Sequence, residues 1–134
     1  MRMQRTTTGV VFGVGMLVAC SSGDNNQTRQ VDDYSVTLTT EPSKLEVGKD
    51  ARVTAHIARD HQGVQHCRAS FRQYIPTHRM TTDHVRHDME ELGQGTYRGD
   101  SSEFAIGGDW ELELRFNCGH GVKTLVFPVN LQWM

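Results

Sequence analysis

From Tyr34 onward the chain alternates apolar and polar positions with a period of two. Val36 and Leu38 alternate with serine and threonine, and Leu45 and Val47 follow a turn at Glu41-Pro42-Ser43. After the turn signal Gly48-Lys49-Asp50, Ala51, Val53, Ala55 and Ile57 share one face, opposite Arg52, Thr54 and His56. Asp60-His61-Gln62-Gly63 marks the next turn, and Cys67, Ala69 and Phe71 then oppose His66, Arg68, Ser70 and Arg72. Trp110 to Cys118 alternates strictly, Asn117 to Gly121 turns the chain, and Leu125 to Trp133 points its odd positions one way. Short strands at this spacing, with no segment supplying convincing crossover helices, predict an antiparallel β-sandwich over residues 34–134. Pro128 lacks an amide donor, so the last strand is expected at an edge or a bulge. Thr77 to Gly93 breaks the pattern. His84, His87 and Asp88 suit one face of a short helix, whereas Val85, His87 and Met89 suit a strand face; the stretch reads as a long irregular connection.

The N-terminus has a different character. Arg2 and Arg5, with no acidic residue nearby, precede an apolar run from Gly9 to Ala19. That run is about half the roughly 20 residues a membrane-spanning helix needs, so residues 1–19 read as a signal peptide. Leu17-Val18-Ala19-Cys20, followed by Ser21-Ser22-Gly23, resembles the lipobox of bacterial lipoproteins. The resemblance implies cleavage before Cys20, lipid on its thiol, and attachment to a membrane of the bacterial cell envelope. Ser21 stands where an aspartate retains many lipoproteins in the inner membrane, which implies the outer membrane, facing the periplasm. Ser21 to Asp33 holds one sizeable apolar residue, Val31, too little to offset the entropy of ordering it. Residues 20–33 are therefore expected to be a flexible tether.

Composition narrows the function. The 134-residue chain becomes 115 residues after cleavage, enough for one domain. Its 14 basic and 16 acidic residues, or 12 against 16 without Arg2 and Arg5, form no basic stripe and argue against nucleic acid. With Cys20 acylated, Cys67 and Cys118 remain as an even pair in a compartment where disulfides persist. Parity puts both on core-facing strand positions, and closing the 51-residue separation would add ~4 kcal/mol in the chain-entropy model. Two buried free thiols, or two soft copper ligands, are the alternatives.

An ordered series of short motifs suggests a family. Lys44-Leu45-Glu46-Val47-Gly48, Ile75-Pro76-Thr77-His78-Arg79-Met80, Gly95-Thr96-Tyr97 and Ile106-Gly107-Gly108-Asp109-Trp110-Glu111-Leu112 together resemble the YtkA-like domain, related to FixH-like envelope proteins. The resemblance covers about Tyr34 to Trp133 and implies an immunoglobulin-like β-sandwich from copper-handling or oxidase-assembly contexts. Two sulfur ligands of the family pattern are missing here: Ile75 and Ala105-Ile106 stand where the family often has methionine.

His78, Met80, His84, His87 and Met89 are the candidate metal ligands, because imidazole accepts either copper oxidation state and thioether sulfur favours Cu(I). Arg79 and Arg86 oppose a cation there, and no zinc-type spacing is present. His56, His61, His66 and His120 fall on outward strand or turn positions. No nucleophile elbow or phosphate loop appears, and Glu90-Glu91 and Asp32-Asp33 read as solvated pairs rather than an acid/base dyad, so an enzyme is not expected. The sequence thus points to a lipid-anchored, non-catalytic YtkA-like envelope protein with copper as its candidate cofactor. The alternative is a metal-free structural or docking module with an envelope protein partner.

Overall fold

The computed structural model describes residues 26–78 and 85–132. Among the described residues, ten strands form two antiparallel sheets packed face to face. They are β1 (Gln27–Val31), β2 (Tyr34–Glu41), β3 (Arg52–Arg59), β4 (Gln62–Gly63), β5 (Arg68–Tyr74), β6 (His87–Asp88), β7 (Glu90–Gly93), β8 (Thr96–Asp100), β9 (Gly108–Asn117) and β10 (Val122–Leu131). One sheet runs β1-β2-β3-β8-β7, with β4 paired to β3; the other runs β10-β9-β5-β6. Among the described residues the one helical element is a 3₁₀ turn, Pro76–His78, and no helix is long and apolar enough to cross a membrane.

The period-two pattern becomes the core. Tyr34, Val36, Leu38, Val53, Ala55, Ile57 and Tyr97 face Ala69, Phe71, Trp110, Leu112, Leu114, Phe116, Phe127, Val129 and Leu131, all buried. Aromatic edges lock the layers, with Tyr34 against Phe116 at 5.4 Å and Phe104 against Trp110 at 5.0 Å between centroids. Pro128 lies on the edge strand β10, where its missing donor costs no ladder bond.

Two expectations change. Residues 27–31, expected within the tether, form β1, which pairs with β2 from Gln27↔Leu38 to Val31↔Tyr34. Its polar side chains are those of an edge strand rather than of a disordered one. Thr28 bonds Thr37 at 2.9 Å, Gln27 donates to the Pro128 carbonyl, Arg29 lies over Phe127, and Asp32 just beyond pairs with Lys123. Ladder bonds and cross-strand pairs supply what burial does not. The long irregular connection also shortens. Residues 79–84 lie outside the described residues, but His87–Asp88 pairs with β5, and Glu90–Gly93 pairs with β8 across a bulge that turns Leu92 outward. At Met89, whose amide donates to the Ala69 carbonyl at 2.9 Å, the chain passes from one sheet to the other.

Three local devices fix the geometry. Gln94 and Gly95 close the β7–β8 hairpin with φ of 56° and 87°, a primed two-residue turn. A Cβ on Gly95 would come within 2.6 Å of both Gly63 Cα and the Ile57 carbonyl oxygen, so the turn also needs glycine for close approach. Tyr97, buried on β8, donates to the Val64 carbonyl at 2.8 Å and accepts from the Cys67 amide at 3.0 Å, while the Glu91 carboxylate accepts from the His66 amide. Burial pushes the Tyr97 phenol up, so it remains a donor. Gln73 faces the core among apolar neighbours. Its amide grips the backbone of Ser102, accepting from N–H at 3.0 Å and donating to C=O at 3.0 Å, and so ties β5 to the connection that enters β9.

Gly95→Ala is expected to cost at least about 2 kcal/mol through left-handed strain and the clash with Gly63. Gln73→Leu, which removes both bonds to Ser102 in a buried site, is expected to cost about 1–3 kcal/mol. Urea denaturation of each variant measures both; an unchanged midpoint for either contradicts its assignment.

Candidate functional site

Cys67 and Cys118 form a disulfide, with Cα atoms 4.0 Å apart. They sit directly opposite each other one position beyond the β5–β9 ladder, whose last pair is Arg68↔Asn117. The bond therefore joins neighbouring strands of one sheet at its rim, and does not cross the core between sheets. Cys20 lies outside the described residues.

Three of the five candidate metal ligands, His78, His87 and Met89, lie among the described residues. His78 ends the 3₁₀ turn, and Met80 and His84 lie outside the described residues. His87, on β6, stacks on Phe71 at 5.1 Å and holds Ser102 Oγ at 3.2 Å through Nε2. Met89 is partly buried and packs against the core, near Gly99. His87 takes the strand-face position of the two spacings legible in the sequence, and Met89 follows at the crossing to β7. Among the described residues no group of three or more His, Cys, Asp or Glu side chains could hold a metal ion. Ile75, in the position where methionine is common in the family pattern, is buried and belongs to the core. His56, His61, His66 and His120 are exposed.

A charged constellation that the sequence pattern did not single out lies on the outer face of β10-β9-β5-β6. Glu113 on β9, 14% exposed, receives Arg72 Nε on Oε1 at 2.9 Å and Arg86 Nη1 on the same oxygen at 3.0 Å. Arg115 Nη2 approaches that oxygen at 3.7 Å. Arg86 also donates to Ser70 Oγ at 3.1 Å, and Arg72 stacks 5.1 Å above the Tyr74 ring. Burial, then repulsion from Arg115, lowers the pKa of Arg86 from its ordinary value. The signal was present in the outward alternation of β5 and β9, but only their register places Arg72 opposite Glu113 and Ser70 opposite Arg115.

A shallow concavity of about 550 Å³ is lined by Arg59, Asp60, Gln62 and His66 among others. It gathers no catalytic constellation. Asp33, the partner of Arg59, is held below the usual carboxylate range by its 2.7 Å hydrogen bond from that guanidinium, an exposed surface pair of little energetic weight.

In structure, the chain is similar to a DUF4426 family protein from Pseudomonas aeruginosa PAO1, with a TM-score of 0.53 at 8% identity over 82% of this chain and 97% of that one. A second similarity, to a DUF4785 family protein from Legionella pneumophila, has a TM-score of 0.43 at 14% identity, over 75% of this chain and 29% of that one. The first likeness is one of fold. No curated protein matches the sequence. The family model described as YtkA-like matches residues 28–115, from β1 through most of β9. Within that match the turn at Gly95, the Tyr97 staple and the Trp110 side chain, whose Nε1 donates to the Ile106 carbonyl at 3.0 Å, give the family motifs their physical roles. With two antiparallel sheets and these motifs in place, the chain belongs to the YtkA-like family.

Proposed function

We propose that this YtkA-like sandwich is a lipid-anchored, non-catalytic module of the bacterial cell envelope, held through Cys20 at the periplasmic face of the outer membrane. The observation that carries this reading is the Cys67–Cys118 bond. It consumes two of the three cysteines and leaves Cys20, at the end of the apolar Gly9–Ala19 run, as the odd thiol. A secreted chain with one thiol left over calls for a use for that thiol, and acylation supplies one. The anchor is also short. β1 begins at Gln27, so seven residue steps separate it from Cys20. At full extension they span ~25 Å, which keeps the sandwich close to the bilayer.

The copper component of the reading is narrower than the sequence pattern suggested. Because His87 already holds Ser102 and stacks on Phe71, and Met89 packs against the core, the proposal places copper chiefly on His78, Met80 and His84. Ligation there requires neutral imidazole and is therefore weakened by acid.

Cys20→Ser is expected to move the protein from the membrane to the soluble fraction and to remove the acyl mass from the mature chain. Retention in the membrane fraction at unchanged mass contradicts the anchor. In calorimetric copper titration of the full chain, His78→Ala/His84→Ala is expected to weaken binding at least tenfold, while Met89→Leu leaves it unchanged. Wild-type binding no tighter than the micromolar range rejects the copper component.

A further inference from the structure

The outer face of β10-β9-β5-β6 concentrates guanidinium around a single carboxylate. Among the described residues, three permanent cations, Arg72, Arg86 and Arg115, converge on one carboxylate, Glu113, at the centre of the sheet, at 2.9, 3.0 and 3.7 Å. Their side chains are 31%, 25% and 47% exposed, so they are ordered enough to be preorganised and open enough to be reached. Ser70 and the Glu113 carbonyl hold Arg86, and the Tyr74 ring holds Arg72. Arg68, also outward and exposed, extends the cluster toward the disulfide rim.

We infer that this face docks an acidic segment of a protein partner, whose carboxylates complete the set of acceptors around Arg72, Arg86 and Arg115 beside Glu113. The planar fork of arginine matches carboxylate geometry in two parallel bonds, and preorganised forks lose less entropy on binding than free ones. The surroundings fit a protein surface. On β10 the outward positions Val122, Val126 and Pro128 lie alongside, with Val126 opposite Glu113 and Val122 59% exposed. The outward positions of β5, β9 and β10 include no lysine. Arginine and tyrosine beside apolar side chains, with lysine depleted, is the composition of interface cores.

A bilayer fits less well. Asp88, Asp109 and Glu111 share the outward face with Glu113, so four carboxylates balance the four arginines over the face as a whole. A charged lipid surface responds to basic residues summed over the area laid against it, and that sum is near zero here. Asp109 and Glu111 lie toward the start of β9, while Glu113 and Asp88 sit among the arginines, so the face carries a fixed pattern of both signs. Only a partner with a matching pattern of its own gains from that arrangement. The inference rests on the sheet face alone and is independent of both the lipid anchor and copper.

The test uses the full chain labelled at arginine side chains, titrated with a hexaglutamate peptide at low salt and followed by NMR of the Nε–Hε signals. Saturable shifts of Arg72, Arg86 and Arg115 are expected, weakened at least fivefold in Arg115→Gln and unchanged in Arg52→Gln on the opposite sheet. Arg115 is the most exposed of the three and reaches Glu113 only at 3.7 Å, so its replacement leaves the fold intact, which circular dichroism verifies. Absence of saturable shifts, or equal shifts in Arg115→Gln, overturns the inference. So does saturation by inorganic phosphate at the same concentration, which marks a small-anion site. Tighter binding to phosphatidylglycerol vesicles than to the peptide assigns the face to lipid and overturns it as well.

Discussion

The register between β5 and β9 is the constraint on which the rest of the molecule depends. It sets Ala69 beside Phe116, Phe71 beside Leu114 and Gln73 beside Leu112 on the inner face, and Arg72 beside Glu113 on the outer face. A slip of one residue would exchange those faces, burying the arginines and exposing the aromatics. The Cys67–Cys118 bond continues the same register by one step, so a covalent link enforces what the hydrophobic pattern selects. Tyr97 then pins Val64 and Cys67 from the other sheet, which carries the register across the core.

Much of this was legible in the chain because alternation encodes a half-buried strand directly. The core faces of β2, β3, β5, β9 and β10, the edge placement of Pro128 and the pairing of Cys67 with Cys118 all follow from period two and cysteine parity. β1 was not legible, because an edge strand held by backbone bonds and polar pairs such as Thr28–Thr37 leaves no apolar signature. β6 and β7 were obscured by their shortness and by the bulge at Leu92, which breaks the alternation. Gln73 shows the same limit within the core. Its position on the inward face was readable, but its partner is the backbone of Ser102, about 30 residues away, and backbone partners carry no sequence code.

Candidate chemistry was the least legible part, for a physical reason. Histidine and methionine spacings within one segment describe a ligand set only when that segment wraps around a point. His87 instead lies on a strand, against Phe71 and Ser102, and Met89 follows at the crossing between sheets, packed against the core. The arginine cluster has the converse property. Its members are scattered in sequence at 72, 86, 113 and 115, and only strand pairing assembles them. Local spacing overstates sites on strands and misses those built across them.

The passage of the chain between sheets at Met89 bears on how the domain responds to force and fluctuation. Because β6 pairs with β5 while β7, two residues later, pairs with β8, one short segment is shared by both layers. Neither sheet can peel away without dragging this segment out of the other. The two layers therefore open as a single cooperative unit rather than as separable halves. A disturbance at the Pro76–His78 turn, which continues from β5, or at Val85, which leads into β6, is felt by both layers at once. The domain is built as one mechanical body, joined through the short segment from His87 to Gly93.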